Sequence, residues 1–165
     1  MINLKWTRIL ILVLCSLSVL GCGTTGYMLL TMQDEDNRIE VTVAPDASQH
    51  LEFRCRDLKP GQTVTYTVVL NTDIADMYDV ALTYEEDDGA LQRYVTTEIT
   101  YLEESYLNVP LTEAFALEEP VMLTGSISKE VALEFNVSFT MPSEVGNEAQ
   151  GLESVFDLVL VVSNT

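Results

Sequence analysis

The side chains able to do chemistry are few and scattered. His50 is the only histidine in the 165-residue chain, so the chain alone supplies neither an HExxH helix nor a three-histidine zinc site. It stands beside Gln49 in a polar stretch, where an exposed loop histidine is expected. No G-x-S-x-G elbow and no phosphate-binding glycine loop occurs. Carboxylates are plentiful, but nothing in their spacing selects an acid–base pair. The densest group, Glu85-Glu86-Asp87-Asp88, lacks the spaced oxygen ligands of a calcium loop and reads as a solvated hairpin tip. The three cysteines are Cys15, Cys22 and Cys55, and no two form a C-x-x-C pair. Cys55 alternates with Leu51 and Phe53, which predicts a buried structural thiol and not a reactive one. The expectation is a protein that is not an enzyme, with no cofactor and no metal.

Chemistry done to the chain is easier to read. Lys5 and Arg8 precede the apolar run ILILVLCSLSVL at 9–20, the order of a signal peptide. Residues 9–33 carry no charge, which is also long enough to cross a bilayer as a helix. Either way the positive end stays in the cytoplasm and the body is exported. Three fates are compatible with the residues. Cleavage between Gly26 and Tyr27 satisfies the small-x-small rule, with Thr24 and Gly26 at the small positions. Val19-Leu20-Gly21-Cys22 has the layout of a lipoprotein box that would acylate Cys22, although Leu20 is bulky. Retention would leave an anchor. Gly21, Gly23 and Gly26 weaken a continuous helix and favour processing. The chain thus divides into residues 1–26, a signal peptide or membrane anchor; 27–43, an N-terminal segment; and 44–165, the body.

Charge narrows the partners. The chain has 26 acidic and 8 basic residues and a net charge of −18. Such a surface repels nucleic acid and anionic membrane, so membrane contact is expected only through the N-terminal segment. The acidic excess also keeps an exported protein soluble. At 47% hydrophobic residues, the body has enough apolar material for one core.

Hydrophobic period then sets the fold class. In VALEFNVSFTM at 131–141, Val131, Leu133, Phe135, Val137, Phe139 and Met141 alternate with small or polar residues. Period 2 over that length puts one face on a core and one toward water. TVTYTVVLN at 63–71 repeats the pattern. Shorter strands are expected at Ile39–Val43, Leu51–Arg56, Tyr78–Glu85, Arg93–Thr100 and Val121–Ile127. VFDLVLVVS at 155–163 is apolar on both faces for part of its length and should be a central strand or lie in an interface. Pro60-Gly61 and Asp88-Gly89 signal turns, the latter a tight hairpin. A short helix fits Leu111–Glu119. The sum is an all-β, antiparallel sandwich. Its edge strands would carry unpaired backbone groups. A freed N-terminal stretch, especially Arg38, Ile39, Glu40, Val41, Thr42 and Val43, is a candidate donor strand for a neighbour's edge. It is equally an ordinary first strand of its own domain.

Three segments resemble the TasA/camelysin family of Gram-positive exported proteins. They are GCGTTGYMLLTMQDED at 21–36, DLKPGQTVTYTVVLN at 57–71, and MPSEVGNEAQGLESVFDLVLVVSN at 141–164, in which Asn147, Gln150 and Gly151 hold the places of that family's loop before the last strand. Gly26 stands where the family has alanine. The family's Gly-Asn-x-Phe entry to the first strand is reduced to Asn37-Arg38-Ile39. The resemblance implies a jelly-roll-like sandwich, export through a specialised signal peptidase, and an extracellular or cell-surface place in a biofilm matrix. It also implies fibres of like or related subunits joined by donor-strand complementation. The proteolysis attributed to camelysins is not carried over, because the residues for it are missing.

Overall fold

The computed structural model describes residues 26–31, 37–44, 47–56, 58–72, 76–127 and 132–164. The apolar segment expected as a signal or transmembrane helix lies outside them, apart from Gly26. Among the described residues, no helix is long and apolar enough to cross a membrane.

The described chain is all-β. In order come β1 (Gly26–Thr31), β2 (Arg38–Thr42), β3 (Ser48–Arg56), β4 (Thr63–Asn71), β5 (Asp76–Gly89), β6 (Thr96–Tyr101), β7 (Glu104–Pro110), β8 (Val121–Ile127), β9 (Leu133–Thr140) and β10 (Glu153–Asn164). They form two five-stranded sheets, β1-β3-β10-β5-β8 and β2-β4-β9-β6-β7. The expectation of an antiparallel fold holds for the inner pairings. The two outermost N-terminal pairs, β1 on β3 and β2 on β4, are parallel.

The sheets meet face to face because each strand alternates. Leu133, Phe135, Val137 and Phe139 of β9 are buried while Glu134 is exposed. Phe53 of β3 stands at the centre. Its ring lies 5.2 Å from Tyr66, 5.1 Å from Phe139 and 5.7 Å from Phe156. Tyr66 and Phe139 belong to one sheet, Phe53 and Phe156 to the other, so the aromatic cluster joins the two layers. β10 is the middle strand of its sheet, as its two-sided apolar pattern required. Phe156, Leu158, Leu160 and Val162 fill the core, while Val159, on the opposite face, is also buried.

Three local features differ from the expected pattern. Asp88-Gly89 is not a hairpin. β5 runs through it beside β10, with Gly89 opposite Ser154. Gly89 has φ +130°, and a Cβ there would strike the Glu153 and Ser154 backbone, so the glycine serves close strand approach. The chain then crosses to the other sheet through a 3₁₀ turn, Leu91–Tyr94, and β6 therefore begins at Thr96, later than expected. The crossing is fixed by Ser154, whose hydroxyl donates to Gln92 Oε1 at 2.6 Å and accepts from the Gln92 N–H at 3.0 Å. The acidic run thus lies along a strand and not at a tip. The helix expected over Leu111–Glu119 is one turn, Leu111–Ala114. It buries Leu111 and Ala114, and Pro120 precedes β8.

The third concerns β7, which was not expected at all. It pairs with β6 through a two-residue loop, Leu102-Glu103, with φ of 50° and 65°. Positive φ at both positions is the hairpin geometry that asparagine and glycine normally supply. Leu102 is 74% exposed, so it gains nothing from burial there. Each ordinary residue in that region costs on the order of 1–2 kcal/mol. Replacing the pair by Leu102→Asn and Glu103→Gly should therefore stabilise the fold by roughly 1–2 kcal/mol, read as a raised urea midpoint.

Candidate functional site

The N-terminal stretch supplies the outer strand of both sheets on one side of the sandwich. In β2, Ile39 and Val41 point inward, followed by Val43; they are 3%, 7% and 4% exposed. Arg38, Glu40 and Thr42 face out. The strand lies parallel to β4, from Arg38 opposite Thr67 to Thr42 opposite Asn71. The ladder continues at both ends, where the Thr67 N–H donates to the Asn37 carbonyl and the Val43 N–H to the Asn71 carbonyl, each at 2.8 Å. Arg38 reaches over β4 to Glu134 on β9 at 3.2 Å and also meets Glu40 at 3.4 Å. These ion pairs are exposed and add little. β2 is held instead by three inserted apolar side chains and one backbone ladder.

β1 repeats the arrangement on the other sheet, running parallel to β3 from Gly26 opposite Gln49 to Thr31 opposite Arg54. β1 and β2 therefore close one edge each. Neither has a described neighbour on its outer side. An edge strand of this kind binds by main-chain hydrogen bonds and by alternate side chains in pockets, which is the chemistry of strand addition. Gly26 opens β1, so an N-terminus at Tyr27 would retain nearly all of that strand. Cys22 lies outside the described residues.

At one end of the sandwich the Pro-Gly turn meets the loop before β10. The turn is closed by the Gln62 N–H donating to the Lys59 carbonyl at 2.9 Å, with Gly61 at φ +77°, the geometry that selects glycine after proline. The Gly61 N–H donates to the Met141 carbonyl at 2.8 Å. Asn147, Gln150 and Gly151 line a cavity of about 270 Å³ with Leu58, Lys59 and Pro60. Two of the segments that carry the family resemblance, distant in the chain, thus build one corner. Among the described residues, Lys59 is its one charged lining residue.

His50 is not an exposed loop residue. It sits on β3, with Nδ1 3.1 Å from Asp157 Oδ2 on β10. No sequence signal joins residues 107 positions apart; only the β3–β10 register does so. Cys55 is fully buried, and burial pushes its thiol up to about 12 from an ordinary 9.0. Burial likewise raises the Tyr84 hydroxyl, opposed by its hydrogen bond with Thr97. Both groups stay neutral in the fold at a pH where the unfolded chain ionises them. Stability should thus be intact below about pH 9 and fall as pH rises toward 12. In the same account Cys55 fails to react with a thiol reagent until the protein unfolds. Rapid labelling of Cys55 itself in the native chain at pH 8 would contradict the buried assignment.

No protein-family model matches the chain, and no curated protein is significantly similar to it.

Proposed function

We propose that this chain is an extracellular structural protein of a Gram-positive bacterium, a matrix or biofilm fibre subunit that assembles by β-strand addition. The observation that carries this reading is the placement of residues 26–31 and 38–42. β1 and β2 are each the outermost strand of one sheet and pair in parallel with β3 and β4, and β2 inserts Ile39 and Val41 into the core. The same ladder positions and the same pockets for Ile39, Val41 and Val43 can be filled by residues 26–43 of a neighbour. Export by cleavage between Gly26 and Tyr27 would free the donor. The partners are then like or related subunits, with signal peptidase acting once during export.

The finer fold reading is a jelly roll. Its support is the strand order: leaving aside β1 and β2, the sheets are β3-β10-β5-β8 and β4-β9-β6-β7. Successive strands from β3 to β6 alternate between sheets, and the chain returns so that the last strands pair with the first. The resemblance to the TasA/camelysin family points the same way.

A second reading has its own support. Each edge is closed by the chain's own strand, as suits a monomeric sandwich with an accessory or ligand-binding role, held on the cell surface by acylated Cys22 or a retained apolar helix. Mass and N-terminal sequence of the natural product separate the two. An N-terminus at Tyr27, with filaments in negative stain, supports the fibre subunit. Lipidated Cys22 or retained Met1, with a monomer at high concentration, supports the anchored form.

A further inference from the structure

Three ligand-type side chains converge on the outer face of the β1-β3-β10-β5-β8 sheet. Asp157 of β10 lies opposite Glu85 of β5, and His50 of β3 lies opposite Val159, two residues along. His50, Glu85 and Asp157 each offer one ligand atom, and these atoms lie within 4.8 Å of one another. The His50 Nδ1 to Asp157 Oδ2 distance is already 3.1 Å, with the two side chains 16% and 22% exposed. Ligand atoms around a four-coordinate zinc stand on the order of 3.3 Å apart, given bonds of about 2.0–2.2 Å. The third group, the Glu85 carboxylate, is exposed and has a ligand atom within 4.8 Å of those of the other two.

Charge favours filling the site. Glu85 has no ion pair among the described residues, and the one ion pair of Asp157 is with His50. The nearby guanidinium of Arg54 engages Glu52, not this pair. The chain's net charge of −18 raises the local concentration of cations. Donor chemistry then selects among them. Calcium takes six to eight oxygens and magnesium an octahedron of oxygens, whereas imidazole suits zinc, copper, nickel and iron.

We infer that His50, Glu85 and Asp157 form a three-ligand site for a divalent transition-metal cation of the zinc class, built across β3, β10 and β5. Three protein ligands leave one position of a tetrahedral ion open to water or to a donor from another molecule. The metal would tie three adjacent strands together. The inference does not depend on strand exchange.

The test is zinc titration of the purified full-length chain by calorimetry, followed by cobalt(II) substitution. The expected result is one saturable equivalent that survives a large excess of calcium. It should weaken at least tenfold in both His50→Ala and Glu85→Gln. Glu85→Gln alters an exposed side chain, so it keeps the test valid if His50→Ala disturbs folding. Cobalt should give the intense visible bands of four-coordination without a thiolate charge-transfer band, which separates this site from the cysteines. Absence of a saturable equivalent, or binding unchanged in Glu85→Gln, would overturn the assignment and leave His50–Asp157 a cross-strand hydrogen bond only.

Discussion

A chain shortened to begin at Ala44 is expected to lose most of its stability and to recover it when the missing strand is added as a peptide. Ile39, Val41 and Val43 are almost wholly buried, and each contributes about 1.5–3 kcal/mol on burial. Their joint loss is comparable to the roughly 5–15 kcal/mol that holds a typical domain together. The truncation also uncovers the β4 edge, whose backbone partners are now supplied by residues 37–43. A peptide spanning residues 37–44 should bind this edge in parallel and raise the urea midpoint in proportion to its concentration. Replacing Val41 by Asp in the peptide should abolish the rescue, since a charge would enter the core. A truncated chain as stable as the intact one would show that β2 is not needed to complete the sheet.

The second large effect is at the centre of the sandwich. Phe53→Ala should cost about 3–5 kcal/mol, seen as a lower urea midpoint with little change in slope. The ring touches aromatic partners on both sheets, Tyr66 and Phe139 across the interface and Phe156 beside it. The surrounding rings belong to three different strands and cannot all collapse into the space left. Phe115, at the periphery, packs on Tyr84 and Phe156 and is partly exposed. Phe115→Ala should cost distinctly less. Equal losses at the two positions would mean that the core is not organised around Phe53.

The strands legible in the sequence are those with long, clean alternation. Leu133–Phe139 shows an unbroken period of 2, Val64–Val68 shows it up to the buried Val69, and both are strands as expected. β7 lacks that signal: Glu104, Ser105 and Tyr106 are all exposed, and its loop uses Leu102-Glu103 in a conformation those residues do not advertise. Asp88-Gly89 misled in the opposite sense, because glycine serves close approach to Ser154 and not a turn. The strand expected at Ile39–Val43 was visible from its alternation, and β2 lies there. Its parallel placement on β4 was not, because strand direction depends on which sheet edge is vacant and not on local pattern. The cluster of His50, Glu85 and Asp157 was invisible for a similar reason. Its members come from separate strands and meet only through register.

Residues 26–43 are proposed to close the sheet of another subunit. Thr42 of β2 stands opposite Asn71 of β4, and Thr42 faces solvent. Cysteines at both positions, in a Cys55→Ser background, report which chain supplies the strand. The secreted protein is oxidised during assembly and run on a denaturing gel without reductant. A ladder of covalent multimers that collapses to monomer on reduction is expected. A band of internally cross-linked monomer alone, at every protein concentration, would contradict it.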